Sequence, residues 1–254
     1  MKKMIIHLYA LIRNLYYLYK TFAPWDVIKI FLLNKLNKNK FLQNYNHEHA
    51  DFLREVENLT LDSNWYAGNY FYWLSVFDEV QLQKKDNLKI LEIGSWEGLT
   101  SFFILHKLNK ATLTCVDTWG GSDEQNASSP ETSEVLQKTE SNFDKNLSIY
   151  GDRLIKIKST SFAYFNSFTN KNYYDLIFID GSHHCDDVVI DGIKCFEQLK
   201  IGGVMIFDDY FWRFYPNYLD NPASAVNCFL KLKKNSYKVL RVYEQIIIQK
   251  LSAR

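Results

Sequence analysis

Apolar positions change period several times along the chain, and each change marks an element. Ile5, Leu8, Ile12, Leu15 and Tyr19 recur at three- and four-residue steps, which predicts an amphipathic helix over residues 4–20. Pro24 predicts the start of a second helix from Trp25 to Leu36, and Asn37-Lys38-Asn39-Lys40 reads as a linker. Residues 48–58 read as a short polar helix and residues 71–80 as an apolar one. From Ile90 onward, short strand-like runs alternate with helical stretches, and the run at 174–179 has continuous apolar character. The runs are 90–93, 111–116, 154–158, 174–179 and 204–207. Helices are expected over 99–108, from Ser129-Pro130 to about 147, briefly after Ser161, and from about 185 to a stop at Gly202. A helix near 223–232 and two strands, 238–242 and 245–249, close the chain. Strands apolar on both faces that alternate with helices predict a mostly parallel sheet with right-handed crossovers.

Composition leaves that picture intact and charge adds to it. At 254 residues with 47% hydrophobic and 16% aromatic content, there is ample material for one large core. A net charge of +1 argues against a nucleic-acid partner. The charge is uneven, however: residues 1–40 carry eight Lys and Arg against Asp26 alone, +7, which leaves −6 elsewhere. His7 and Arg13 interrupt the first apolar run, which fits neither a signal peptide nor a membrane span. Such a basic amphipathic segment packs on its own domain, pairs with a second subunit in a homo-oligomer, or lies on an anionic membrane surface. Cys115, Cys185, Cys195 and Cys228 show no CxxC spacing and read as reduced thiols of a cytoplasmic protein.

Candidate chemistry sits where strands end. Gly94 and Gly98 follow the first strand of the alternating region, and a helix begins at Leu99. A strand, a glycine turn and a helix N-terminus suit the polar part of a nucleotide-like ligand. Asp117, Ser161, Asp180, Asp208 and Asp209 all fall at predicted strand ends, where ligands of such sheets bind. The G-x-x-x-G spacing, with Trp96 at the middle glycine position, excludes a close pyrophosphate approach, and the chain has no P-loop motif. Trp65, Tyr66 and Asn69 precede the apolar helix at 71–80 and are further candidates for the site.

Leu91-Glu92-Ile93-Gly94-Ser95-Trp96-Glu97-Gly98 resembles the first motif of class I S-adenosylmethionine-dependent methyltransferases. The stretches from Tyr174 to His183 and from Gly202 to Tyr210 resemble the strand-end motifs of a metal-dependent O-methyltransferase subgroup, that of the macrocin-type sugar O-methyltransferases (methyltransferase type 24). The resemblance implies an α/β, Rossmann-like, doubly wound seven-stranded sheet with helices on both faces over residues 61–254. Residues 1–60 form a basic helical extension that matches nothing recognised. On this reading Asp117 receives the ribose hydroxyls. The N–H groups of residues 96–100 and the Thr100 hydroxyl hold the methionyl carboxylate. Glu92 orients the loop or the amino group, Trp119 stacks on adenine and Ser161 bonds its edge. Gly94, Ser95, Trp96, Gly98, Thr118 and Asp180 complete the cofactor site.

Acids ending adjacent strands converge on one point, because strands lie about 4.8 Å apart. Asp180, Asp208 and Asp209 offer hard oxygen donors suited to Mg²⁺ or another divalent cation. His183, three residues beyond Asp180, has the titration range of a general base, and the resemblance assigns it that role. The implied activity is O-methyl transfer to a sugar or other small polyhydroxyl acceptor, a glycan or glycoside among them. Two alternatives stay open: a catechol or phenol acceptor, and a non-catalytic scaffold that keeps the fold and acts through its basic N-terminus. The loops 119–130 and 210–222 would shape the acceptor but spell no code for it.

Overall fold

The computed structural model describes residues 2–62, 70–121 and 130–253. Its centre is a seven-stranded sheet: β1 (Leu88–Ile93), β2 (Ala111–Asp117), β3 (Leu154–Lys158), β4 (Tyr174–Ile179), β5 (Leu199–Phe207), β6 (Tyr237–Val242) and β7 (Ile246–Lys250). The spatial order is β3-β2-β1-β4-β5-β7-β6. The first five strands run parallel, and β7 is antiparallel to both β5 and β6. The order reverses between β1 and β4, so the two crossovers leave a crevice at the carboxyl ends of these neighbours. This is the α/β doubly wound fold that the sequence pattern predicts.

Side-chain alternation divides the core into two layers. Leu91 and Ile93 of β1, Ile177 and Ile179 of β4, and Met205 and Phe207 of β5 face one layer. Ile90, Leu176, Phe178, Val204 and Ile206 face the other. The first layer is closed by α7 (Ser161–Ser167), α8 (Cys185–Gln198) and α9 (Pro222–Leu232), with α1 (Lys2–Lys20) and α2 (Trp25–Asn44). The second is closed by α3 (Asn46–Val56), α4 (Tyr70–Glu79), α5 (Leu99–Lys107) and α6 (Pro130–Leu147). Strands buried on both faces need the apolar runs that the sequence shows.

Two element boundaries differ from expectation. Residues 37–40 are no linker: α2 runs through them to Asn44. The Asn-Lys run contains neither Gly nor Pro, so nothing stops propagation, and Asn37 Nδ2 donates back to Leu33 O at 2.8 Å. At the other end of the chain, α8 stops at Gln198 instead of at Gly202, and β5 begins at Leu199. β4 pairs Tyr174 with Leu199 and then Leu176 with Val204. The intervening residues bulge out, with Gly202 at φ +81°.

The N-terminal helices pack on the domain by one face. Tyr17 and Leu18 of α1 and Val27 and Phe31 of α2 are buried in the first core layer. Among the described residues no helix is long and apolar enough to cross a membrane.

Candidate active site

β1 ends at Gly94, which takes φ +82°. A Cβ there would lie 1.8 Å from the carbonyl oxygen of Asp180. Only glycine lets β1 and β4 bring their carboxyl ends this close. Gly98, at φ +85°, caps α5. Its bare Cα admits Phe143 and Leu147 of α6, each of which would be 3.1 Å from an added Cβ.

The loop between these glycines is held by carboxylates. Asp117 Oδ2 accepts from the backbone N–H of Ser95 (2.6 Å) and of Trp96 (2.9 Å), and Oδ1 from that of Trp119 (2.7 Å). Trp96 adopts φ +47°, a left-handed geometry that costs a non-glycine residue about 1–3 kcal/mol and persists where its surroundings over-determine it. Glu97 is buried, and its Oε1 accepts from Asp62 N (2.9 Å) and Asn142 Nδ2 (2.7 Å). Asn146 Nδ2 donates to Glu97 O at 2.8 Å, which ties the loop to α6. Glu92 lies beneath, fully buried, and accepts from the Ser101 hydroxyl and the Cys115 thiol. Burial pushes its carboxyl up to about 7, against the pull of those two donors. The Ser95 hydroxyl, buried beside them, adds to that pull.

The ends of β4 and β5 supply the opposite wall. The carboxyl of Asp180 is raised well above its ordinary range by burial first and then by the charges of Asp208 and Asp209. Burial and Asp209 raise Asp208 likewise. Asp208 turns aside: Oδ1 accepts from Asp209 N (2.7 Å) and Oδ2 from Gln245 Nε2 (2.8 Å). Asp209, at φ +53°, faces the other way, with Oδ2 at 2.7 Å from His183 Nε2. Donor atoms of Asp180, His183 and Asp209 all lie within 4.8 Å of one another. The compact set therefore differs from the expected trio: His183 stands where Asp208 was placed, because Gln245 draws the Asp208 carboxylate towards β7. The His183 ring lies over Trp212, centroids 4.5 Å apart. His184 stacks on Tyr215 at 5.1 Å.

These walls enclose a cavity of about 890 Å³. Gly94, Ser95, Trp96, Thr100, Asp117 and Thr118 line one half, and Ser161, Asp180, His183, Asp208 and Asp209 the other. Three candidates stand outside the wall. Glu92 lies under the loop and Gly98 against α6. Trp119 is buried by packing, which corrects its expected place on an adenine ring. Its Nε1 donates to Trp96 O (2.9 Å), Phe143 meets it edge-on at 5.0 Å, and the Lys156 ammonium lies 4.6 Å from its centroid. Trp65, Tyr66 and Asn69 fall outside the described residues.

The cavity also holds groups that the sequence reading missed. Phe162, 67% exposed, lines it one residue after Ser161. Asp191 of α8, nearly fully buried, is pushed up to about 6 by burial while the Ser161 hydroxyl pulls it down. Phe162 adjoins a predicted strand end and was within reach of inspection. Asp191 and Gln245 carry no such local signal, since tertiary folding alone brings them to the cavity. Seven carboxylates line the cavity (Glu97, Asp117, Asp180, Asp187, Asp191, Asp208 and Asp209), and among the described residues no Lys or Arg does.

With this geometry in hand, residues 91–210 match the family model of a methyltransferase domain. Solved structures share the chain's fold. The O-methyltransferase TomG of Streptomyces achromogenes, involved in tomaymycin synthesis and solved with S-adenosylmethionine, is 12% identical, with 81% of this chain and 89% of that chain covered and a TM-score of 0.52. A candidate caffeoyl-CoA O-methyltransferase of Staphylococcus aureus is 16% identical, with coverage of 85% and 100% and a TM-score of 0.52. A Corynebacterium glutamicum protein is 14% identical, with coverage of 86% and 99% and a TM-score of 0.50. At such identities the likeness to these structures is one of fold. No curated protein matches the chain.

Proposed function

We propose that this methyltransferase domain transfers the methyl group of S-adenosylmethionine to a hydroxyl of a sugar or other small polyhydroxyl acceptor, assisted by a divalent cation. The observation that carries the reading is the cluster of Asp180, His183 and Asp209 at one end of a cavity whose other end is the glycine loop. The cofactor fits the half beside β1 and β2. Ser95, which lines the cavity, offers it a polar contact through its hydroxyl. Of the roughly four acceptor positions of the Asp117 carboxylate, the loop takes three, which leaves one on Oδ1 for a ribose hydroxyl. The exposed ring of Phe162, in the role first given to Trp119, offers a face to the adenine.

The fit of a cation rests on crowding. The carboxyls of Asp180, Asp208 and Asp209 crowd the ends of β4 and β5, where among the described residues no Lys or Arg lines the cavity, and burial with mutual repulsion raises Asp180 and Asp208. Asp180 and Asp209, with Asp208 behind them, would hold it. A hard divalent ion there orients an acceptor oxygen and lowers the pKa of its hydroxyl. His183 takes the acceptor proton in this reading. Asp209 fixes the ring through its 2.7 Å contact and stabilises the imidazolium that results.

The anionic lining bears on the acceptor. A phosphorylated or CoA-bound acceptor would bring several negative charges into a lining with seven acidic side chains and, among the described residues, no Lys or Arg, whereas a neutral polyhydroxyl compound meets less repulsion. A second reading, a phenol acceptor, draws support from the aromatic rim: Trp212 beside His183, with Phe214 stacked on it at 5.3 Å. The test is transfer of labelled methyl from S-adenosylmethionine to matched panels of neutral glycosides and catechols, with and without chelator. Label on glycosides, lost in chelator while calorimetry still registers the cofactor, is the expected result. Label on catechols alone supports the second reading. Cofactor binding with no acceptor labelled leaves a scaffold protein, and full activity in chelator with no metal in the protein removes the cation.

A further inference from the structure

Helix α1 has two apolar faces, and only one of them is used. The inner face, with Tyr17 and Leu18, is buried on the domain. On the outer side Leu8, Tyr9, Ile12, Tyr16 and Tyr19 fall within an arc of about 100° at helical spacing. Tyr9 is 67% exposed, Ile12 56% and Tyr19 74%. The turn after α1 continues the surface with the exposed rings of Phe22 and Trp25. A row of this kind on a soluble face marks an interaction surface.

Its charge selects the occupant. Arg13 and Lys20 follow one edge of the arc, and Lys29 is exposed beyond Trp25. None of the three closes an ion pair with a described residue. The Lys231 ammonium of α9 comes within 5.3 Å of the Phe22 ring centroid, which adds another cation to the patch. Asp26 is the single acid in residues 1–40. A second copy of the chain, docked about a two-fold axis, would set this patch against itself and oppose like charges. An anionic bilayer presents the opposite charge and an apolar interior, and Tyr and Trp sit at headgroup depth.

We propose that the outer face of α1 and the turn into α2 form a docking surface for an anionic lipid bilayer, with α1 lying in the plane of the interface. The inner face then gives docking a direction. Tyr17 OH donates to Trp212 O at 3.0 Å, and Arg213 Nη2 to Asn14 Oδ1 at 2.7 Å. The helix that meets the lipid thus also holds the loop carrying Trp212, which packs on His183.

The experiment is co-sedimentation of the full chain with vesicles of phosphatidylglycerol and phosphatidylcholine in equal parts, and with vesicles of phosphatidylcholine alone. It is compared with the triple variant Tyr9→Ser, Ile12→Ser, Tyr19→Ser, whose three sites are exposed; a thermal melt verifies folding. Binding to the anionic vesicles should weaken between about 0.05 and about 0.5 M salt as surface charge is screened. The variant should bind at least about tenfold less, because it has lost much of the apolar face. Equal partition of wild type and variant, or equal binding to both vesicle types, overturns the proposal. So does a wild type that is dimeric without lipid, a variant that is monomeric, and no vesicle binding by either: the face would then be a subunit interface. None of these outcomes depends on methyl transfer.

Discussion

The cavity has two halves built in different ways. In the half beside β1 and β2 the loop is held mainly from nearby in the chain: Asp117 reaches back to Ser95 and Trp96, about 20 residues away, and the ties of Glu97 to Asp62, Asn142 and Asn146 span fewer than 50 residues. The half beside β4 and β5 depends on distant partners. Gln245 draws Asp208 aside. Tyr17 and Asn14 of the N-terminal helix hold Trp212 and Arg213 across sequence separations of 195 and 199. A local construction can be specified by a motif, whereas the second half exists only once the whole chain has folded. The comparison teaches that cofactor handling and acceptor handling should be separable by mutation, and the following outcomes test this.

The largest effect should fall on the acceptor side. His183→Ala is expected to lower turnover roughly 10²–10⁴-fold, the usual size of general-base catalysis, with cofactor affinity unchanged in calorimetry. Metal affinity measured on the same variant sharpens the result: retention marks His183 as the base, and loss marks it as a ligand.

On the cofactor side the largest expected effect concerns stability and pH. The folded pKa of Glu92, about 7, exceeds the ordinary 4.5, so the folded state binds this proton more tightly than the unfolded chain. Its contribution is fully present below pH 4.5 and lost as pH rises through about 7. The span corresponds to at most about 3 kcal/mol. Denaturant melts of Glu92→Gln between pH 4.5 and 8 should therefore lose less stability with rising pH than the wild type. Identical slopes in the two proteins would break this part of the comparison.

Asp117→Ala removes a charged acceptor shared by the loop and the proposed ribose. Cofactor affinity should fall by about 1.5–3 kcal/mol, read by calorimetry, with the acceptor KM nearly unmoved. The smallest effect is expected from Tyr17→Phe. It deletes one hydroxyl that donates to Trp212 O, at a cost of about 1 kcal/mol. Acceptor KM should shift several-fold while cofactor affinity stays put. A change in cofactor affinity instead would mean that the halves are coupled through α1.

The same contrast explains what could be read from the sequence. The alternating runs predicted a mostly parallel sheet with helices between its strands, because strands buried on both faces need apolar residues, and the resemblance implied its seven-stranded doubly wound form. Gly94, Asp117 and Asp180 could be placed beside one another because strand ends in a parallel sheet fall together. Trp119 was misplaced since a Trp next to a candidate acid gives no sign of which way its ring turns. Phe143 and Lys156 decide that, and they belong to other elements, α6 and β3. The orientation of Asp208 was hidden for the same reason, with Gln245 as the distant partner. Residues 37–40 misled because polar composition resembles a linker, yet lysine and asparagine without a breaker continue a helix that is anchored at Val27 and Phe31.

The surplus of carboxylates in the cavity also bears on how a reaction cycle would end. If S-adenosylmethionine is the donor, it arrives with a sulfonium charge and leaves as a neutral thioether. An enclosure with seven acids and, among the described residues, no Lys or Arg attracts the incoming molecule more than the spent one. Exchange of product for fresh donor is then electrostatically downhill, and product inhibition should be weak at low ionic strength. Added salt screens the incoming charge more than it affects the neutral product, so inhibition should grow as ionic strength rises.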